Sequence, residues 1–217
     1  MIGEAQIIVF GHSTFYQDSR VAFGQKDIHP TTTMPADVDY LKGLLRSYPD
    51  YPKKGIVFLD IFPLLRDPVA FETLITHFVH HLTSHTIASS PSKKIDVVVG
   101  LDARGFLIGP IIAMRLGAAF VPVRKRGKLP GETISAEYQK EYGLDVFEMQ
   151  ADAIAKGQNV VIIDDLIATG GSAKAAGELV AKLGGNTLEY LFIIELTFLQ
   201  AASKLDAPMY SIVKVDD

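Results

Sequence analysis

The segment from Asn159 to Gly185, NVVIIDDLIATGGSAKAAGELVAKLGG, leaves few folds open to the chain that carries it. Val160 to Ile163 are four consecutive apolar residues, and such a run reads as a strand buried on both faces, the kind found in parallel sheets covered by helices. The strand delivers two adjacent carboxylates, Asp164 and Asp165, at its carboxyl end. A short turn, Ala168 to Ser172, then leads into an amphipathic helix with Ala176, Leu179, Val180 and Leu183 on its apolar side and Gly184 as a left-handed stop. The free N–H groups at that helix start would face an anion. Gly170 and Gly171 let the backbone close around a monophosphate, while Thr169 and Ser172 add hydroxyl donors without charge. The plainer alternative is a strand-turn-helix with two solvated acids.

The rest of the chain repeats the same alternation. Residues 37–47 read as a short helix with Val38, Leu41, Leu44 and Leu45 on one side. Asp67 and Pro68 read as N-cap and first residue of a second helix, whose stripe is Phe71, Leu74, Ile75, Phe78, Val79 and Leu82. A buried strand from Ile95 to Val99, a glycine turn, a helix ending near Leu116-Gly117 and a strand from Phe120 to Val123 form a βαβ unit. Strands at Leu188 to Leu196 and Tyr210 to Val213 complete an α/β fold: a mostly parallel twisted sheet flanked by helices.

A second chemical site is expected in the turn GLDARGF, residues 100–106. It lies at the carboxyl end of a parallel strand, where open sheets place their ligands, so Arg104 can offer a forked charge to phosphate oxygens. The next strand runs into RKRGKLPG, residues 124–131, a basic loop leaving the same sheet edge; pyrophosphate would sit between the two. The net charge of −4 and this local clustering of basic residues argue against a nucleic-acid footprint. At 48% hydrophobic and 21% charged residues the 217-residue chain has a globular composition, and its longest apolar runs are strand-sized, which predicts no membrane span. The absence of cysteine removes disulfides and thiolate metal sites and suits a cytoplasmic location.

GLDARGFLIGP, VPVRKRGKLPG, EYQKEYGLDVFEMQ and VIIDDLIATGGSA stand here in the order and spacing of the adenine phosphoribosyltransferase family, a branch of the type I phosphoribosyltransferases, and YPDYPKKGIVFLDIFPLL resembles that family's base-binding hood. The similarity covers residues 35–215. It implies the type I phosphoribosyltransferase fold with a small N-terminal hood (residues 48–66) and a flexible lid loop (residues 129–150) on a domain spanning 34–217. It also implies a purine-salvage reaction: transfer of the 5-phosphoribosyl group from phosphoribosyl pyrophosphate (PRPP) to adenine, giving AMP and pyrophosphate. Mg²⁺ would be the cofactor, held mainly through PRPP with Asp164 or Asp165 as protein ligands, and the enzyme would be a homodimer.

Carried over by position, the resemblance gives Ala168, Thr169, Gly170, Gly171 and Ser172 to the 5′-phosphate and Asp164 and Asp165 to the ribose hydroxyls, where carboxylates also stabilise a developing sugar cation. Arg104, Lys125 and Lys128 would hold pyrophosphate. Phe58 would stack on adenine, Leu196 would close its other face, and the Val57 carbonyl and Leu59 N–H would read its edge. Glu141, beside Tyr142 in the lid, would handle the purine proton once the lid closes. Ala103 stands where the family commonly has serine, Leu59 where arginine is common, and Ser172 where threonine is frequent.

Two other features are not explained by this reading. His77, His81 and His85 recur at i, i+4 spacing, which can bind zinc, but they run along the flank of the apolar stripe and are expected to be an exposed histidine row without a nearby carboxylate. Residues 1–33 precede the resemblance and form an extension of unknown role. Among other functions, a PRPP-sensing regulator would keep the phosphate loop without an adenine pocket, and a hypoxanthine-guanine or orotate transferase would differ in the hood and lid.

Overall fold

A computed structural model of the chain describes residues 34–51, 53–54, 57–140 and 143–216. The extension 1–33, Glu141 and Tyr142 lie outside the described residues. Helix α1 (Met34–Leu44) is followed by two short strands, β1 (Arg46–Pro49) and β2 (Val57–Asp60), which pair with each other antiparallel. Helices α2 (Phe62–Arg66) and α3 (Pro68–His81) come next. Then follow β3 (Val97–Leu101), α4 (Gly105–Leu116), β4 (Ala119–Lys125), β5 (Thr133–Lys140), β6 (Gly143–Gln150), β7 (Asn159–Ile167), α5 (Gly171–Lys182), β8 (Asn186–Leu196) and β9 (Met209–Val215). The main sheet has seven strands in the order β5-β6-β4-β3-β7-β8-β9. Its β4-β3-β7-β8-β9 part is parallel throughout, and only β5 and β6 run against it.

The continuous apolar runs of β3, β7 and β8 are explained by cover on both faces. Val97, Val99, Val160, Ile162, Tyr190 and Phe192 point to one side, packing with Leu179 and Val180 of α5. Their neighbours Val98, Val161, Ile163, Leu191 and Ile193 point to the other, against Leu41, Leu64, Leu74, Phe78, Ile108 and Ile112 of the first four helices. The start of α3 is fixed as its sequence requires: the Asp67 carboxylate accepts from the N–H groups of Val69 (2.9 Å) and Ala70 (3.2 Å), with Pro68 at the first turn. Phe120 of β4 lies over two glycines, Gly100 and Gly109; a Cβ on either would stand 2.7 Å from its ring.

Two expectations are corrected here. The segment expected to be a polar lid loop is a β-hairpin, β5 paired with β6 from Thr133↔Gln150 to Lys140↔Gly143, with Ala136, Tyr138, Phe147 and Met149 buried in the α5-side core. Its apolar residues alternate with polar ones at the strand period, so one face is core although the composition is polar. The histidines are not an exposed row either: His77 is buried, His81 half-buried and only His85 exposed. Beyond α3 the helix continues as a π-helical turn over Leu82–Ile87, and this face lies on β8 and β9. His77 Nε2 meets the Tyr210 hydroxyl at 2.5 Å, and His81 Nε2 meets Glu189 at 3.0 Å, a carboxylate that also accepts from Thr86. Among the described residues no cluster of three or more His, Asp and Glu side chains is placed to hold a metal ion.

Burial holds the His77 imidazole below its ordinary pKa, and the neighbouring His81 and His80 push the same way, whereas Asp37 of α1 opposes them. The unfolded chain therefore binds this proton more tightly than the folded one. The stability that a neutral His77 contributes is present above the unfolded value near 6.5, and it is lost as pH falls toward the lower folded value. Thermal melts from pH 7.5 down to 5.5 should show Tm falling by several degrees in the native protein and by less in His77→Gln. Equal slopes would remove His77 as the cause.

Candidate active site

The parallel register brings the carboxyl ends of three central strands to one edge. Gly100 of β3 stands beside Pro122 of β4 and Ile163 of β7, so the segments that follow emerge together: the 102–104 turn, the basic loop, and the Asp164-Asp165 pair with the 168–172 turn. Gly105 permits the closest of these approaches, since a Cβ there would stand 2.6 Å from the Ile163 carbonyl oxygen. Its N–H donates to Asp164 Oδ1 at 3.1 Å, and Arg104 Nε donates to Asp165 Oδ2. Burial raises the Asp164 pKa well above the usual carboxylate value, and the charge of Asp165 beside it adds to the effect. The Asp102–Ala103 peptide in this turn is cis.

The basic loop is fastened at its base. Arg124 Nε donates to Asp102 at 3.1 Å, its guanidinium lies 5.9 Å from the Phe106 ring centre, and a terminal nitrogen donates to the Lys128 carbonyl at 3.2 Å. Glu148 of β6 accepts from the Gly127 N–H (2.8 Å) and pairs with Arg126 (3.7 Å). Lys125 is turned toward Asp145 of the hairpin at 4.0 Å, whereas the exposed Lys128 ammonium makes no ion pair with a described residue. Lys125 and Lys128 are the residues expected from the sequence to hold pyrophosphate. Arg124, Asp102 and Glu148 lie inside the quoted motifs without an assigned role; their opposite charges at strand ends are the available signal.

After β7 the chain turns through Ala168 and Thr169 to Gly170, which has φ of 81° and caps α5 without any side-chain acceptor on the first-turn N–H groups. Those donors are left open at the sheet edge, as an anion site needs. Ala201, in the short 3₁₀ segment Ala201–Lys204 between β8 and β9, packs behind Gly170, and Lys204 Nζ donates to the Thr169 carbonyl at 2.7 Å. No local sequence pattern pointed to Lys204.

Of the residues expected around the base, Phe58 is half-buried and meets Tyr51 edge-on with ring centres 5.3 Å apart. Leu59 and Leu196 both pack on the apolar cluster beneath α1–α4. Val57 is 60% exposed, at the outer end of β2. Val57 and Leu59 are two residues apart, so their backbone groups point to the same edge of that strand. Val57 is paired in register with Pro49, which has no N–H to give it.

The sequence profile of the phosphoribosyl transferase domain matches residues 74–216. The adenine phosphoribosyltransferase of Yarrowia lipolytica is 58% identical over 173 residues, covering 80% of this chain and 93% of that protein. A crystal structure of the Saccharomyces cerevisiae adenine phosphoribosyltransferase, complexed with adenine and an imino-altritol bisphosphate, superposes with a TM-score of 0.79 at 51% identity, covering 82% of this chain and 99% of that one. The Trypanosoma brucei adenine phosphoribosyl transferase, in complex with AMP, pyrophosphate and ribose-5-phosphate, gives 0.73 at 27% identity over 87% of this chain and 81% of that one. An acid pair, a braced glycine turn and a basic loop thus share one sheet edge in a chain that belongs to the phosphoribosyltransferase domain family, within its adenine phosphoribosyltransferase branch.

Proposed function

We infer that this chain carries out purine salvage: it transfers the 5-phosphoribosyl group of PRPP to adenine, forming AMP and releasing pyrophosphate. The observation that carries the reading is the Arg104–Asp165 pair beside Asp164, at the same sheet edge as the open N-terminus of α5. The turn from Ala168 to Ser172 receives the 5′-phosphate, and Asp164 and Asp165 accept hydrogen bonds from the ribose hydroxyls. As the bond from the anomeric carbon to pyrophosphate breaks, the sugar gains positive charge, which the two carboxylates stabilise. Arg104, Lys125 and Lys128 hold the departing pyrophosphate. Adenine lies between Phe58 and Leu196, and its ring nitrogen attacks the anomeric carbon while Glu141 takes the proton it loses.

The protein donors suit Mg²⁺, a hard cation that prefers oxygen: Asp164 and Asp165 bring carboxylate oxygens to this sheet edge. When bound with PRPP, the ion would neutralise charge on the pyrophosphate. Residues 48–66 act as the hood in this reading, and 129–150, carrying the β5–β6 hairpin in place of a loop, as the lid. A homodimer accompanies it, supported by exposed Leu107 and Met114 two turns apart on one face of α4. So does a cytoplasmic location, supported by the cysteine-free composition.

The test is direct. Purified protein with PRPP, Mg²⁺ and adenine should yield AMP and pyrophosphate in equal amounts, measured by chromatography and a coupled pyrophosphate assay. Failure to form AMP would overturn the reading.

A further inference from the structure

We propose that Lys204 is a positioning residue for the 5′-phosphate site, acting through the peptide between Thr169 and Gly170. The inference rests on the function inferred above and extends it to a residue far along the chain. No side chain from Ala168 to Ser172 carries charge, so a dianionic phosphate held there depends on backbone N–H groups and two hydroxyls. Their strength depends on how those peptides are oriented.

In a trans peptide the C=O and N–H lie in one plane and point in opposite directions. The ammonium of Lys204, 2.7 Å from the Thr169 carbonyl oxygen, draws that oxygen outward and thereby directs the Gly170 N–H inward. A charged donor on the carbonyl also polarises the amide, making its N–H a stronger donor to an anion on the far side. The next link is held as well: the Gly170 carbonyl accepts from Lys174 N–H at 2.9 Å in the first turn of α5. Gly170 needs this support because its φ of 81° is a conformation that glycine adopts without preferring it to others.

The segment carrying Lys204 is itself shaped for the task. Gln200 turns the chain with φ of 50°, and Ala201 then packs behind Gly170, where a Cβ on that glycine would meet the Ala201 Cβ at 3.2 Å and its carbonyl at 3.3 Å. Ala201 fixes the back of the turn and Lys204 its carbonyl. The same β8–β9 connection begins at Leu196, so it links the inferred base pocket to the phosphate turn.

A positioning role predicts a selective defect. Lys204→Met keeps most of the aliphatic stem and removes the charge. It should raise the dissociation constants of AMP and ribose 5-phosphate, and the KM for PRPP, by about tenfold, the range for losing one charge-assisted hydrogen bond at a solvent-exposed position. Adenine KM, pyrophosphate KM and kcat should stay within about twofold, since none of those depends on the 5′-phosphate grip. Lys204→Arg should restore most of the affinity. Unchanged affinity for AMP and ribose 5-phosphate in Lys204→Met would overturn the proposal, and so would an equal loss for pyrophosphate and adenine accompanied by a lower Tm, the pattern of general structural damage. An inactive native protein would instead count against the inferred reaction.

Discussion

Replacing Asp164 and Asp165 together with asparagine should lower kcat by about 10²–10³-fold, the loss expected when charge aimed at a transition state is removed, while the fold survives. The geometry explains why both halves of that result are expected. An amide oxygen at position 164 can still accept from Gly105 N–H, and one at 165 can still accept from Arg104, so the turn keeps its connections. Lost is the negative charge facing the sugar. Stability should not fall, because the folded protein holds the Asp164 proton more tightly than the unfolded chain does. A raised carboxyl contributes stability that is fully present below its unfolded pKa and is lost as pH rises through the folded value. The double substitution removes the buried like-charge pair that raises the Asp164 pKa. Tm should therefore match or exceed the native value. A folded double variant that turns adenine over at the native rate would show that these acids do not support the sugar cation.

Discrimination between bases should be larger still. Adenine should exceed hypoxanthine in kcat/KM by about 10³–10⁴-fold, as for sites whose buried polar groups are matched to one substrate's hydrogen-bonding edge. β2 pairs only with β1 among the described residues, so one edge of it is available to a ligand. In an antiparallel pair a residue turns both its backbone groups toward the partner strand or both away from it. Val57 faces Pro49, which cannot donate, so the arrangement that leaves no partner wanting has Val57 and, two residues on, Leu59 facing outward. Their carbonyl and N–H then match the exocyclic amine and a ring nitrogen of adenine. A 6-oxo group would set acceptor against acceptor and leave the Val57 carbonyl unpaired. Steady-state rates with both bases decide the matter, and comparable efficiencies would move base recognition away from β2.

What could be read from the sequence followed from how local each cause was. The 160–163 run, the Asp67-Pro68 helix start and the helix between the 168–172 turn and Gly184 are set by residues within a few positions of one another, and each appears where the pattern placed it. The β5–β6 hairpin escaped notice because only one face of it is apolar. Ile134, Ala136 and Tyr138 alternate with Ser135 and Glu137, and the core-facing partners Phe147 and Met149 are equally diluted. Burial of His77 was invisible for a different reason. It depends on Tyr210, at a sequence distance of 133 residues, and the pairing partner of His81 is likewise remote. At the site, chemistry carried by strand ends was legible because parallel strands must deliver their carboxyl ends to one edge. Lys204 was not, since its role depends on how a 3₁₀ segment folds back on the phosphate turn.

Phe120 ties three positions into one unit of inheritance. Its ring occupies the space where a side chain at Gly100 or at Gly109 would go, so neither glycine can be exchanged alone. Trimming the ring by itself removes the packing that fills the space over both glycines. Passage from this packing to another therefore runs through an intermediate worse than either end, and descendants should keep all three residues or replace them in concert. For anyone diversifying this enzyme, positions 100, 109 and 120 have to be randomised jointly, because a library that varies them one at a time will return only the starting residues.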